Sequence, residues 1–207
     1  MRVTVLTPPA ALFNVPDAKL QAPVLAEADD LRVAGLLAAA QSRIERSWIG
    51  RAFGAQTLEA RLDSFDEREI ALPWPPLRSV ASIVYVNDAG EEQTVDPASY
   101  FVFGIGTTGG SVAPIGGRWP STPRRPEAIR IRYEAGYDDG DPELGTVRQA
   151  VLLMATQLHG LTAQDLSLRS ESIEGVGETQ WTVSDTASRL IMSAADDLLR
   201  DFVVWSC

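Results

Sequence analysis

The segment Leu72-Pro73-Trp74-Pro75-Pro76-Leu77, running straight into Arg78-Ser79-Val80-Ala81-Ser82-Ile83-Val84-Tyr85-Val86, constrains this chain more than any other. Each proline fixes φ at about −65° and pushes the residue before it towards extended geometry, so the hexapeptide is stiff and extended. The run behind it alternates as a strand does, and the spacing predicts Val80, Ser82, Val84 and Val86 on one face. Arg130-Ile131-Arg132-Tyr133 alternates in the same way and stops at Ala135-Gly136-Tyr137, where Gly136 permits a turn. A long apolar segment, Val147–Leu158, follows. Sheet and helix are both required.

Helical spacing begins at Ala26, with Val33, Leu36, Leu37, Ala40, Ile44 and Trp48 on one stripe and Asp30, Gln41 and Glu45 on the opposite side. Gly50 is placed to stop this helix. The middle of the chain is β-rich. Short strands are expected at Thr57–Leu62, Glu69–Leu72, Val80–Val86, Glu92–Val95, Tyr100–Phe103 and Ala128–Tyr133, with a hairpin turn at Asn87-Asp88-Ala89-Gly90 and a glycine-rich loop over 104–117. Pro142 suits the first turn of a second helix, striped by Val147, Ala150, Val151, Met154, Ala155 and Leu158. Residues 162–184 are polar and read as a long connection. A last helix, capped by Ser184 or Asp185, carries Ala187, Leu190, Ile191, Ala194, Leu198 and Phe202 on one face. The expected fold is α+β: a small bundle of about three main helices, with a β-rich insertion at 69–134 between the first and second long helices. Residues 1–25, with their four prolines, read as an arm that orders on assembly, residues 26–200 as one domain and 201–207 as an apolar tail.

Composition excludes several functions. Eighteen Lys and Arg against 28 Asp and Glu leave a net charge of −10, the wrong sign for gripping nucleic acid by its phosphates. The single cysteine, Cys207, excludes an internal disulfide framework and a cysteine-based zinc site. The first twenty residues are broken by Pro8, Pro9 and Pro16 and do not read as a signal peptide, and no stretch is apolar enough for a membrane span. The expected location is the cytoplasm during synthesis.

Catalytic signals are weak. Gly104-Ile105-Gly106-Thr107-Thr108-Gly109 matches the spelling of a dinucleotide fingerprint, but the proline and glycines behind it forbid the helix whose N-terminus would face a pyrophosphate. His159, the only histidine, lies at a helix end without a nucleophile elbow. Asp138, Asp139, Asp141 and Glu143 lack the spacing of a calcium loop, and the last two complement a helix N-terminus. No metal or cofactor is expected. The competing readings are a small hydrolase using His159 and the Asp138–Asp141 loop, or a module that binds a peptide at a sheet edge. Arg118, Arg124 and Arg125, interleaved with Trp119, form the one basic cluster outside the helices and read as a contact between subunits or a surface ion pair, with a nucleic-acid patch as the lesser alternative in so acidic a chain. Phe202, the last stripe residue of the final helix, and the β-prone Val203, Val204 and Trp205 behind it are apolar, and read either as finishing the core or as a docking segment.

The order of these segments — a helix, LPWPPLRSV, a hairpin, Trp119-Pro120, a strand ending in Ala135-Gly136-Tyr137, then an apolar helix — resembles the head–tail connector (adaptor or head-completion) proteins of long-tailed double-stranded DNA phages and gene transfer agents. The likeness covers roughly residues 26–200 and rests on structural motifs. It implies a non-enzymatic virion subunit in a ring, commonly a dodecamer. The ring would bind a portal protein on one side and the next tail-side connector (stopper) on the other, with DNA passing through the channel unbound. The Phe202–Trp205 segment would meet the portal. An acidic subunit suits such a channel, since like charge keeps DNA from sticking.

Overall fold

A computed structural model describes residues 1–66, 68–160, 171–173, 177–179 and 185–203. In chain order the elements are β1 (Arg2–Thr7), α1 (Val15–Gln21), α2 (Asp30–Arg43), β2 (Gln56–Leu62), β3 (Ile70–Ala71), β4 (Leu77–Val86) and β5 (Glu92–Thr94). They continue with β6 (Tyr100–Phe103), β7 (Ser111–Pro114), β8 (Ile129–Ala135), α3 (Leu144–Gly160), β9 (Glu171–Ile173), β10 (Gly177–Thr179) and α4 (Asp185–Leu199). β1 to β8 make two antiparallel sheets, one of order β1-β2-β8-β4-β5 and one of order β3-β7-β6, and β9 pairs with β10. The expected small helical bundle with a β-rich insertion is therefore overturned. The protein is β-rich, with four α-helices among the described residues.

Two strands account for the correction. Arg2–Thr7, read as part of an arm, pairs along β2 from Arg2↔Arg61 to Thr7↔Thr57. Ser111–Pro114, read as loop, is the middle strand of the smaller sheet and carries both β3 and β6. The chain divides into two compact units, one built from residues 1–10 and 50–141, the other from 11–49 and the described residues of 142–203. The β-structure draws on the chain's start as well as its middle, so it is not an insertion into a bundle.

In the first unit, β8 is the central strand, paired with β2 from Gln56↔Ala135 to Leu62↔Ile129 and with β4 on its other side. Its alternation holds: Ile129, Ile131, Tyr133 and Ala135 are buried, while Arg130, Arg132 and Glu134 face away from the core. β4 departs from its expected alternation. Bulges at Arg78 and Ala81 shift the register, setting Leu77, Val80, Ile83 and Tyr85 across from Ala135, Tyr133, Ile131 and Ile129. One extra residue flips every side chain beyond it. Val80 and Ile83 thus share the core face, while Ser82 and Val84 stand opposite Arg132 and Arg130 on the other.

The two motifs that bracket this sheet interlock at one corner. Leu72 N–H donates to the Gly110 carbonyl at 2.8 Å, Ala52 N–H to Pro75 at 3.0 Å and Gly136 N–H to Pro76 at 3.0 Å. The Pro75–Pro76 peptide is cis and Trp74 sits at φ 60°, a left-handed conformation that a non-glycine residue holds only when its surroundings enforce it. The Tyr133 hydroxyl donates to the Pro73 carbonyl at 2.7 Å. Gly136, at φ 111°, packs so closely that a Cβ would stand 2.4 Å from the Gly54 carbonyl oxygen. Tyr137 stacks on Phe53 with ring centroids 6.1 Å apart and accepts a hydrogen bond from Arg51 at 3.2 Å. The proline-rich approach and the Ala-Gly-Tyr stop are two sides of one packed turn.

In the second unit, the Asp29 side chain accepts from the Leu31 and Arg32 N–H groups, so α2 begins at Asp30 and not at Ala26. Val33, Leu37, Ala40 and Ile44 are buried as expected. Gln41 and Glu45, placed by periodicity on the solvent side, are buried as well. Gln41 accepts the Leu12 N–H at 3.1 Å and donates to Glu45 at 3.0 Å, which satisfies them there. From Ile44 to Ile49 the helix is π-type, and the wider turn buries Ile49 while leaving Trp48 half-buried. α3 packs against both α2 and α4. Among the described side chains of α4, Ala195 and Leu199 are buried while Leu190 and Ala194 are exposed, so over this stretch its inward face is turned by about one residue from the expected stripe.

Candidate interaction surfaces

The face of the five-stranded sheet turned away from its core is charged and internally paired. Glu59 on β2 has a side chain only 3% exposed, and it accepts from Arg61 Nε at 2.9 Å and Arg132 Nε at 2.9 Å. Arg61 reaches on to Glu127 at 2.8 Å, and Arg130 pairs with Glu92 at 2.6 Å. Burial pushes the Glu59 carboxyl up, but the hydrogen bonds from Arg132 and Arg61 and the charges behind them outweigh it and hold the group below its ordinary value. An open depression of about 350 Å³ crosses this face, lined by Ser82, Val84, Glu92, Thr94, Arg130 and Arg132. Its arginines are already committed to carboxylates, so its chemistry is that of a self-neutralised polar surface.

The residues singled out from sequence fall in several places. Trp119 packs inward, stacked on Phe65 with centroids 4.9 Å apart, and its indole N–H donates to the Arg68 carbonyl at 3.0 Å. Arg118, Arg124 and Arg125 are exposed, with Arg124 standing 3.8 Å from Asp66. Phe202 is buried on a short 3₁₀ turn after α4, Val203 is half-buried, and Val204 and Trp205 lie outside the described residues. The glycine-rich loop closes on itself. Gly106 N–H donates to Leu77, Thr107 Oγ1 to the Gly104 carbonyl at 2.9 Å, and no helix follows. His159 is half-buried near the end of α3, its Nδ1 without a hydrogen-bond partner among the described residues. Asp138 is engaged by Arg78 at 2.6 Å. Among the described residues no cluster of His, Cys, Asp or Glu could hold a metal ion, and no helix is long and apolar enough to cross a membrane.

Sequence reasoning missed two apolar patches. Phe101, Phe103 and Ile105, at and just beyond β6, are 50%, 45% and 57% exposed, with the two phenyl rings 5.9 Å apart. In the helical unit, Leu20, Val24 and Leu31 are 82%, 61% and 83% exposed. A legible signal did exist for the first patch: residues 97–117 contain no charged side chain.

No protein-family model matches the chain, and no curated protein does. Solved structures do. A chain from the virion of the native gene transfer agent particle superposes with a TM-score of 0.70 at 18% identity, over 100% of this chain and 98% of its own length. A chain from the neck of the empty particle, computed with C6 symmetry, gives 0.66 at 18% identity over 100% and 97%. One from the neck of the native particle, computed with C12 symmetry, gives 0.61 at 17% identity over 100% and 97%. From one end to the other, this chain has the fold of these gene transfer agent particle chains.

Proposed function

We propose that the protein is a structural subunit of the neck of a phage-like particle, a head–tail connector that forms a ring between the portal vertex and the tail. The observation that carries this reading is end-to-end likeness to chains of gene transfer agent particles, two of them from necks computed with six- and twelve-fold symmetry. Copies of this chain would occupy a ring, with DNA passing through without being held. The role is non-enzymatic. A net charge of −10 suits a wall that DNA must slide past. A self-paired polar sheet face and buried aromatic corners are what a rigid ring component needs, and neither requires chemistry at a site.

Because Phe202 is buried in the chain's own fold, the portal contact is assigned to Val203, Val204 and Trp205 behind it, and the tail-side contact to the next connector. Trp205 is the kind of large, rigid side chain that anchors interfaces. The test is to mix the purified chain with portal rings and follow mass by light scattering and shape by electron microscopy. The expected result is a ring seated on the portal, lost when residues 203–207 are deleted while the melting temperature holds. A chain that stays monomeric with portal rings and turns over a metabolite would end this reading. A truncated chain that melts many degrees lower, yet still attaches, would move the portal contact elsewhere.

A further inference from the structure

The five-stranded sheet ends on both sides in a strand with an unused edge. Among the described residues β1 pairs with β2 alone and β5 with β4 alone. Every neighbouring pair in the order β1-β2-β8-β4-β5 is antiparallel, so β1 and β5 run in the same direction. Their open sides face opposite ways, about 19 Å apart at the usual strand spacing. β1 is six residues long with no proline and no charge after Arg2, and its one irregularity falls between Val5 and Thr7. Such an edge is a template for another strand unless something covers it.

Charge selects the strand that fits. Residues 79–117 hold Asp88, Glu91, Glu92 and Asp96 and no Lys or Arg, and these acids are all exposed. Against them stands Arg130, which pairs with Glu92. The β1 side has the opposite balance. Residues 1–16 contain Arg2 and no acid. The Arg2 side chain is 72% exposed and reaches Glu127 only at 3.5 Å, while Arg61, directly across from Arg2, holds the other Glu127 oxygen at 2.8 Å. Asp63, which accepts the Glu127 N–H, adds one acid, and Arg125, whose N–H donates to the Asp63 carbonyl, adds one base. Bases therefore outnumber acids around the start of β1, and acids outnumber bases around β5.

Copies that each carry a net charge of −10 repel, so contact between them is favoured where the signs differ. Arg2 opens β1 and Glu92 opens β5, so parallel addition sets the two strand starts side by side and brings Arg2 to Glu91 and Glu92. A closed ring needs two unlike surfaces, each copy offering one to the neighbour's other, and the two edges of one sheet supply them. We propose that β5 of one copy adds in parallel to β1 of the next, so that the sheets of successive copies join edge to edge. The proposal rests on the ring reading above, and its partner is a second copy of this chain.

The experiment compares the full chain, free and assembled on portal rings, by hydrogen–deuterium exchange. Residues 2–5 and 92–94 should both exchange at least about tenfold more slowly in the ring. In parallel, Arg2→Glu and Glu91→Arg should each raise the concentration needed for ring formation at least about tenfold, and the two together should restore it, as only a direct meeting of the two positions does. Both side chains are exposed, so the melting temperature of the free chain should hold. Protection of residues 2–5 without protection of 92–94 would give the β1 edge to the portal and overturn the proposal. If rings form, yet neither segment gains protection and the paired reversal rescues nothing, this contact is wrong and the ring reading stands. If the wild-type chain forms no ring with or without portal, both fail.

Discussion

At the scale of single residues, two side chains show how burial and polarity are reconciled. Tyr133 is fully buried in the middle of the central strand, and burial pushes its phenol well above the usual range, so it is a neutral donor at any ordinary pH. Its one hydroxyl bond, to the Pro73 carbonyl, fastens the sheet to the proline corner. Tyr133→Phe should cost about 1 kcal/mol, lowering the melting temperature by about 2–4 °C while leaving the circular dichroism spectrum unchanged. No change in melting would mean that a water replaces the bond without loss. Glu59 behaves differently because it is charged. Its carboxyl is held below the ordinary value of 4.5, so its contribution is complete above that value and is lost as pH falls through the lower folded one. Wild-type stability should therefore drop as the pH falls below 4.5, and Glu59→Gln, weaker by about 1–2 kcal/mol at neutral pH, should show a shallower drop. Denaturant melts at three pH values decide it, and parallel curves would sink the assignment.

At the scale of elements, the Ala81 bulge decides which way β4 faces. Deleting Ala81 would swap the faces of one half of the strand, sending Ile83 and Tyr85 to the charged side or Val80 off the core. The deletion should destabilise the protein more than truncating any one of these side chains to alanine, read as a larger loss of denaturation midpoint and of soluble yield. A deletion melting near wild type would show that the register re-forms without it. Bulges also explain why part of this fold was not legible. Strand positions were readable from alternation and turn residues, and β6 and β8 lie where expected, but the one-face assignment of Val80, Ser82, Val84 and Val86 assumed a regular strand. β1 was hidden by Pro8 and Pro9 behind it, and β7 by its shortness and the glycines around it, since only pairing partners distant in sequence make either a strand. Gln41 and Glu45 defeated helical periodicity because they satisfy each other and Leu12 inside. The exposed apolar residues were overlooked because Leu20 and Val24 fell in the segment read as an arm and Ile105 in a loop, while no face was assigned to Phe101 and Phe103.

At the scale of the whole molecule, the excess of acid governs what the protein meets. Duplex DNA should keep its mobility in the presence of micromolar protein at physiological salt, because the arginines of the sheet face are neutralised by Glu59, Glu92 and Glu127. A gel shift at sub-micromolar protein with a steep salt slope would overturn this and make Arg118, Arg124 and Arg125 a phosphate contact. The way the chain is divided has a separate effect, on timing. β8, residues 129–135, lies between β2 and β4 and is the last of its sheet's five strands to leave the ribosome. α2 likewise waits for α3, which begins only at Leu144. The five-stranded sheet therefore cannot close while only the first 128 residues are exposed, and α2 has no α3 to pack on. Synthesis order thereby acts as a checkpoint: both units complete their cores only once β8 and α3 have been made.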